Sequence, residues 1–350
     1  MVDAQGVSLR VLAVIPGDGQ GSSFIFARRQ VESLLRLGVN VRVFYLKSRT
    51  SPSGVLKELR RLRREIREFG PHLLHAHYGT VTSFLSGYGT DIPLVITFRG
   101  SDVNGHPALG FLRGYIGFVL SQLSTLRAKR VVCVSQRIRD RLWWRRNRTV
   151  ILPTGVNLSL FRPCPRDAAR AQLGWKTADH VVLFSSGSEP HAKGIELARA
   201  TVGIAESAVG AVRLAILDGT VVPDEVPVYL NASDCLVLAS CREGSPNIVK
   251  EALACNLPVV AVDVGDVAER LRDVYPSQVT ERNAAALGRA VADILRLGLR
   301  SNGRSKVAAY SEEMVANQIL STYLDVIRTS TGHMTIKQCI ETPCPKENSR

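Results

Sequence analysis

Short runs of β-branched and other apolar residues alternate with amphipathic stretches along most of this chain, and that alternation leaves few folds open. Residues 11–15, 39–45, 73–76, 94–98, 130–134 and 149–152 read as strands, with helices predicted at 27–37, 55–69 and 112–126. The rhythm breaks at Phe161-Arg162-Pro163-Cys164-Pro165 and then restarts. Strands are predicted at 181–185, 212–217, 235–239 and 259–262, with helices at 195–205, 226–232 and 247–254 between them. The pattern implies an α/β protein of two Rossmann-like, doubly wound domains. Its ligands are expected in a cleft between them, beyond the carboxyl ends of the strands.

The predicted organisation is an N-terminal domain over 1–163 and a C-terminal domain over 164–305. A last helix over 306–330 carries Met314, Ile319, Leu320, Tyr323 and Ile327 on its apolar positions and is expected to pack back on the first domain. Residues 331–350 lose all periodicity and read as a flexible tail. A length of 350 residues, 45% of them apolar, suits about two domains and excludes wholesale disorder. No apolar run approaches the roughly 20 residues of a membrane-spanning helix, and Met1 to Gly6 is too polar for a secretion leader. The seven cysteines are scattered, with Cys133, Cys235 and Cys255 in apolar patterns that suit reduced, buried thiols. A cytoplasmic location is the expectation.

A glycine-bearing loop follows the first strand of each half. Pro16-Gly17-Asp18-Gly19-Gln20-Gly21-Ser22-Ser23 only partly matches a dinucleotide loop, because a third glycine would fall at Ser22 and no acid ends the second strand. Gly19 and Gly21 therefore mark either a flexible turn or a place where a ligand approaches the backbone. The second loop, Ser186-Gly187-Ser188-Glu189-Pro190-His191-Ala192-Lys193-Gly194, sets a lysine at an apparent helix start, where positive charge is disfavoured unless an anion sits nearby.

The stretch Arg242-Glu243-Gly244-Ser245-Pro246-Asn247-Ile248-Val249-Lys250-Glu251 supplies a setting for that anion. Ser245 reads as an N-cap with Pro246 at the first helical position, so the amides of Asn247, Ile248 and Val249 face outward for phosphate. Glu243 precedes the helix and Glu251 falls one turn into it, on the face of Asn247. Carboxylates on both sides of an amide-lined phosphate site suit a ligand with hydroxyls on both sides of its phosphates, such as a nucleotide sugar.

The spacing of Glu243 and Glu251 resembles the E-x7-E element of the family 4 retaining glycosyltransferases, which have the two-domain GT-B fold. Val150 to Asn157 with Phe161 and Pro163, Ala192-Lys193-Gly194, and Asn231-Ala232-Ser233-Asp234 resemble further motifs of that family in the same order. The resemblance covers residues 9–330. It implies that Glu243 holds hydroxyls of the donor sugar and Glu251 those of the ribose. The amides from Ser245 to Val249 would line the diphosphate, with Lys193 on the leaving group, in a transfer that retains anomeric configuration without a metal or other cofactor. Asp-x-Asp occurs nowhere in the sequence, which fits that expectation. Where the family carries Gly-Arg, this chain has Gly187-Ser188, so Arg99 is the candidate for the missing cation. Phe98-Arg99-Gly100-Ser101-Asp102 resembles the family's HGxD element with arginine in place of histidine, which puts Asp102 on the acceptor side. His77, at the end of its strand, suits a catalytic and a purely structural role equally, while His75 is expected to pack beside the strand.

The expected reaction is transfer of a sugar from a nucleotide diphosphate sugar to a polysaccharide or lipid-linked acceptor. The alternatives are a GT-B epimerase, or a catalytically silent protein that binds nucleotide sugars or an anionic membrane. The net charge of +14 favours phosphate-bearing partners, and no nucleic-acid module is recognisable. Helix 55–69 sets Leu59, Leu62, Ile66 and Phe69 among six basic residues, and reads either as a core-facing stripe with a solvated basic face or as a membrane patch. Trp143-Trp144, among six arginines between Arg137 and Arg148, points to membrane contact.

Overall fold

The computed structural model describes residues 9–21, 23–104, 110–187 and 189–330. The chain divides into two compact units. One runs through Pro153 and takes back the chain from Glu313 onward; the other spans Thr154–Glu312.

The first unit is built on a parallel sheet of six strands: β1 (Arg10–Pro16), β2 (Asn40–Leu46), β3 (Leu73–Ala76), β4 (Leu94–Phe98), β5 (Arg130–Cys133) and β6 (Thr149–Ile151). The second holds five parallel strands: β7 (His180–Ser185), β8 (Val212–Leu217), β9 (Cys235–Leu238), β10 (Val259–Val262) and β11 (Gln278–Thr280). Their orders are β2-β1-β3-β4-β5-β6 and β11-β10-β9-β7-β8. The direction of winding therefore reverses between β1 and β3 in one sheet and between β7 and β9 in the other. Such reversals open a crevice at the carboxyl ends of the strands concerned.

Alternate residues of one strand feed opposite cores, which is why these strands read as apolar runs. Val181 and Leu183 of β7 join one cluster, Val182 and Phe184 the other. Leu12 and Val14 of β1 likewise face one core while Ala13 and Ile15 face another. Phe161 and Val156 lie in the core of the second unit, and Asn231 ties the connector down by accepting from Cys164 N at 2.9 Å and donating to Arg162 O at 3.0 Å. The proline-bearing connector is thus inside the second unit, and the division falls nearer to Pro153 than to residue 163.

The last predicted helix is interrupted. Val156 pairs with the chain at Ser311, through Val156 N to Tyr310 O (2.9 Å) and Glu312 N to Val156 O (3.0 Å), which ends a short helix, Gly303–Val307, and its following turn. A new helix, Glu312–Ser330, then packs Val315, Ile319, Tyr323 and Val326 against Val11, Leu73 and Val95 of the first sheet. Residues 331–350 lie outside the described part of the chain.

Two helices carry the face discussed below. Thr80–Tyr88 lacks apolar periodicity and was not foreseen; it buries Thr82, Ser83 and Ser86. It lies against Phe111–Arg127, with Ser83 Oγ donating to Ser124 Oγ at 2.9 Å. By contrast, helix Pro52–Phe69 turns Val55, Leu59, Leu62, Ile66 and Phe69 into the core, so its stripe is core-facing and its basic side chains are the solvated face.

Candidate active site

The carboxyl ends of β7 and β9, where the second sheet reverses, carry the residues singled out by their motifs. After β7 the chain turns through Ser186 and Gly187, whose amides both donate to Leu217 O. Ser188 lies outside the described residues. A four-residue helix, Pro190–Lys193, ends at Gly194, whose φ of +82° starts the longer helix Ile195–Val209. A Cβ at Gly194 would stand 2.5 Å from Ala239 O, so only glycine lets this loop close on the end of β9. Lys193 therefore ends one short helix rather than beginning a long one.

Its charge has a partner across the crevice. Lys193 Nζ lies 2.6 Å from Glu243 Oε1, and Ser240 Oγ donates to the same oxygen at 2.8 Å. The lysine side chain is 32% exposed and the glutamate 11%, so the pair is sheltered but reachable from solvent. Two loops that are 50 residues apart in sequence are thus joined by a charge-assisted hydrogen bond.

Next to the pair begins helix Asn247–Ala254. Its N-cap is Pro246, not Ser245, and no side chain caps the first amides. Ser245 is occupied elsewhere: its hydroxyl donates to Asp266 Oδ2 at 2.9 Å and accepts from Lys250 Nζ at 3.0 Å. Lys250 is almost wholly buried and needs such an acceptor. The amides of Asn247, Ile248 and Val249 are consequently left without a side-chain acceptor of their own segment, and Asn247 Oδ1 is buried without a hydrogen-bond partner. Partial positive charge at such a helix start favours an anion. Glu251 follows one turn on, partly buried, while the Val249 side chain belongs to the core.

Lys250, Asp266 and Arg270 form a buried charged network beside this loop that motif reasoning missed. Arg270 Nε lies 3.2 Å from Asp266 Oδ2, and its guanidinium stacks on Tyr310 at 4.2 Å. Burial pushes the Asp266 carboxyl upward in pKa, against the opposing pull of Lys250, Arg270 and Ser245. A Cβ at Gly265 would meet Gly244 O at 2.6 Å, so the Asp266 loop presses directly on the Glu243 loop. The available signal was a lysine beside the apolar face of the helix, with an aspartate ending the next β-turn.

The remaining candidates sit at the reversal of the first sheet. After β1, Gly19 and Gly21 adopt φ of +84° and +59°, and Arg28 donates to both of their carbonyls, at 2.7 Å to Gly19 O. A Cβ at Gly19 would fall 2.7 Å from the Tyr45 ring. Ser22 is outside the described residues. After β3 and β4 come His77 and Arg99. His75 bridges Tyr323 Oη (2.6 Å) and Thr97 Oγ1 (2.7 Å), which makes it a structural histidine, pushed down to about 3 by burial and by Arg99. His77 is also buried, its Nδ1 3.5 Å from Arg99 Nη2 and its Nε2 without a partner; burial, His75 and Arg99 hold it well below the usual histidine range.

Arg99 packs its guanidinium on Phe26 at 4.2 Å and donates to Gln30 Oε1 at 3.1 Å. Burial lowers its pKa to about 10, partly offset by Asp102. Asp102 accepts from three backbone amides, Arg99 N (3.1 Å), Gly100 N (2.8 Å) and Gly79 N (3.0 Å), and so ties the loops after β3 and β4 together. Burial raises its pKa despite those bonds. Among the described residues, no group of three His, Cys, Asp or Glu side chains could hold a metal ion.

Comparison with known proteins supports the family and the fold. Residues 3–160 match the family model described as Glycosyltransferase Family 4, and residues 175–296 that described as Glycosyl transferases group 1. A Bacillus subtilis protein named for teichuronic acid biosynthesis, the glycosyltransferase TuaC, is 29% identical over 258 residues. That match takes in 68% of this chain but only 64% of TuaC, less than two thirds of the relative's length. Among solved structures, sucrose-phosphate synthase of Thermosynechococcus elongatus superimposes with a TM-score of 0.73 at 20% identity, covering 91% of this chain and 100% of the other. HepE of Anabaena, in complex with UDP and glucose, gives 0.69 at 16% identity, with 91% and 100% covered. Both share the GT-B arrangement of two parallel-sheet domains.

Proposed function

The chain belongs to the family 4-type glycosyltransferases, and from that membership we propose that it moves a sugar from a nucleotide diphosphate sugar to a glycan or lipid-linked acceptor with retention of configuration. The observation that carries this reading is the Lys193–Glu243 pair, 2.6 Å apart at the sheet reversal and beside a helix start without a side-chain cap. A cation, a carboxylate and a row of amides are what a sugar diphosphate requires: charge for the phosphates, an acceptor for the hydroxyls.

In this reading the diphosphate lies along the amides of Asn247 to Val249 and draws Lys193 toward itself, which releases one oxygen of Glu243 to a hydroxyl of the donor sugar. Ser240 keeps that carboxylate in place. Glu251 takes the ribose hydroxyls. As the bond from the anomeric carbon to the diphosphate oxygen breaks, negative charge builds on the leaving phosphate, where Lys193 and the amides stabilise it more than they stabilise the ground state. The acceptor oxygen attacks from the face the diphosphate leaves, and its proton passes to the departing phosphate oxygen.

Thermal melting against a panel of UDP, GDP and ADP and their sugars tests the reading. At least one nucleotide sugar is expected to raise the midpoint of the native chain and to lose that effect with Lys193→Ala or Glu243→Ala. The absence of any stabilising nucleotide, or undiminished stabilisation in both folded variants, would refute it.

A further inference from the structure

The helix Phe111–Arg127 is inside out. Its inner face buries Ser121, Gln122, Ser124 and Thr125 completely, whereas Leu112, Tyr115, Ile116 and Leu126 are exposed. A helix on a water-facing surface ordinarily shows the opposite pattern. The polar inner face is satisfied from within the fold: Ser124 accepts from Ser83 and donates to Leu120 O, and Ser121 donates to Asp102 O and Gly117 O. The apolar residues are therefore outward because the inner positions are polar and already bonded, which leaves Leu112, Ile116 and Leu126 exposed on the outer side.

The tryptophan pair continues this stripe. Trp143 N donates to Gln122 Oε1 at 2.9 Å, and Gln122 Nε2 donates to Arg141 O at 3.1 Å, so a fully buried glutamine clamps the loop to the helix. Phe118 meets Trp143 edge-on at 5.1 Å and Trp143 meets Trp144 at 5.5 Å. The two indoles are held in position yet remain 49% and 40% exposed. On the other flank Tyr88, also exposed, donates to Leu123 O. Contiguous apolar exposure of this kind marks an interaction surface.

Charge identifies the occupant. Between Leu112 and Arg148 the sequence holds ten lysines and arginines and one acid, Asp140. Arg113, Arg127, Arg141 and Arg146 are exposed around the stripe, and Arg145 anchors its guanidinium on Leu126 O at 3.1 Å. A second copy of this chain would bring arginines against arginines. An anionic bilayer offers phosphate to the cations and hydrocarbon to the stripe, and tryptophans suit the boundary between the two.

From this geometry we infer that the outer face of helix Phe111–Arg127, with Trp143 and Trp144, is a docking surface for anionic phospholipid. This inference stands apart from the sugar-transfer site and does not depend on it. Helix Pro52–Phe69 takes no apolar part in it, since its stripe is in the core.

Vesicle co-sedimentation of the full chain tests the surface, with phosphatidylcholine alone and with phosphatidylcholine containing phosphatidylglycerol. Binding is expected only to the anionic vesicles and should weaken with salt, each arginine near the surface contributing about fivefold. Of the three tryptophans only Trp175 is buried, so binding should also shift the indole emission of Trp143 and Trp144 to the blue. A Trp143→Ser, Trp144→Ser double variant and, separately, a Leu112→Ser, Ile116→Ser variant should each bind at least about tenfold more weakly, with melting midpoints unchanged because the replaced side chains are exposed. Equal binding to neutral and anionic vesicles, no binding to either, or full binding by both folded variants would overturn the proposal. So would a dimer in sedimentation velocity that the serine variants dissociate, which would assign the face to a second copy.

Discussion

The two sheets reverse their winding in the same way, yet the crevices that result are furnished differently. At β7 and β9 a lysine and a glutamate meet within 2.6 Å in a place solvent can reach. At β1 and β3 the corresponding end of the sheet holds His75, His77 and Asp102, all buried, and the partly buried Arg99, with their proton affinities displaced first by burial. One crevice keeps its charges paired and within reach of solvent. The other keeps its histidines neutral and locks its arginine and aspartate into the packing. Topology decides where a site can form, and the burial of the side chains there decides whether its charges are mobile.

The sharpest way to break this contrast is at the exchangeable pair. Lys193→Ala removes the cation expected on the leaving diphosphate, and loss of one such group typically lowers turnover about 10²–10³-fold. Initial rates of sugar transfer at saturating donor measure it. A rate within a few fold of the native chain would show that the pair is structural and that the two crevices do not differ in kind.

The reverse expectation holds for the buried crevice, where stability should respond. Tyr323→Phe deletes the hydroxyl that His75 Nδ1 contacts at 2.6 Å and leaves a wholly buried ring nitrogen unsatisfied, at a cost of about 1–3 kcal/mol in urea unfolding. A neutral outcome would mean that His75 finds another partner.

Much of this contrast was legible in the sequence, and what was not has a physical cause. Strands such as β1 announce themselves because both faces are covered and every residue from Val11 to Ile15 is buried. Lys193 and Glu243 stand out in the sequence through local patterns, a lysine after a glycine loop and a glutamate before a Ser-Pro helix start with Glu251 eight residues on. Helix Thr80–Tyr88 escaped because serines and threonines fill its buried face, and β11 escaped because its three residues, Gln278 to Thr280, hold a single apolar side chain. Lys250 and Asp266 escaped for another reason: Ser245 links them, but 21 residues separate Ser245 from Asp266, and a lysine in a helix reads as solvated until its burial is known. The same limit hid the polarity of helix Phe111–Arg127, whose serines could be recognised as interior only from their partners.

A third test uses pH. His72, His75 and His77 are depressed in the folded chain below their ordinary value of 6.5, His75 to about 3. Below 6.5 the unfolded chain takes up protons that the folded chain refuses, so stability is complete above 6.5 and falls as pH drops toward 3. Each such group contributes up to about 1.4 kcal/mol per pH unit within its window. Asp102 works in the opposite sense, since its raised pKa makes its charged form the costly one and acid relieves that cost. The fall should therefore be clearest in the upper part of the window, and His75→Gln should flatten it in urea titrations followed by circular dichroism. A native profile flat from pH 7 to 5 would deny the neutrality assigned to this crevice.

The smallest effect separates the parts of the exchangeable pair. Ser240 Oγ donates to the same Glu243 oxygen that Lys193 holds, at 2.8 Å, so it can keep the carboxylate oriented when a diphosphate draws the lysine away. Ser240→Ala removes one neutral-to-charged hydrogen bond, worth about 1–2 kcal/mol where the geometry is kept. If Ser240 acts by orienting Glu243 toward the donor sugar, the change should appear mainly as a weaker KM for the nucleotide sugar, with melting nearly unchanged and binding of the free nucleoside diphosphate preserved, because that part of the ligand rests on Lys193 and the helix amides. Equal losses for the nucleotide sugar and the free diphosphate would make the carboxylate an anchor that positions Lys193 for the phosphates rather than a contact for the sugar.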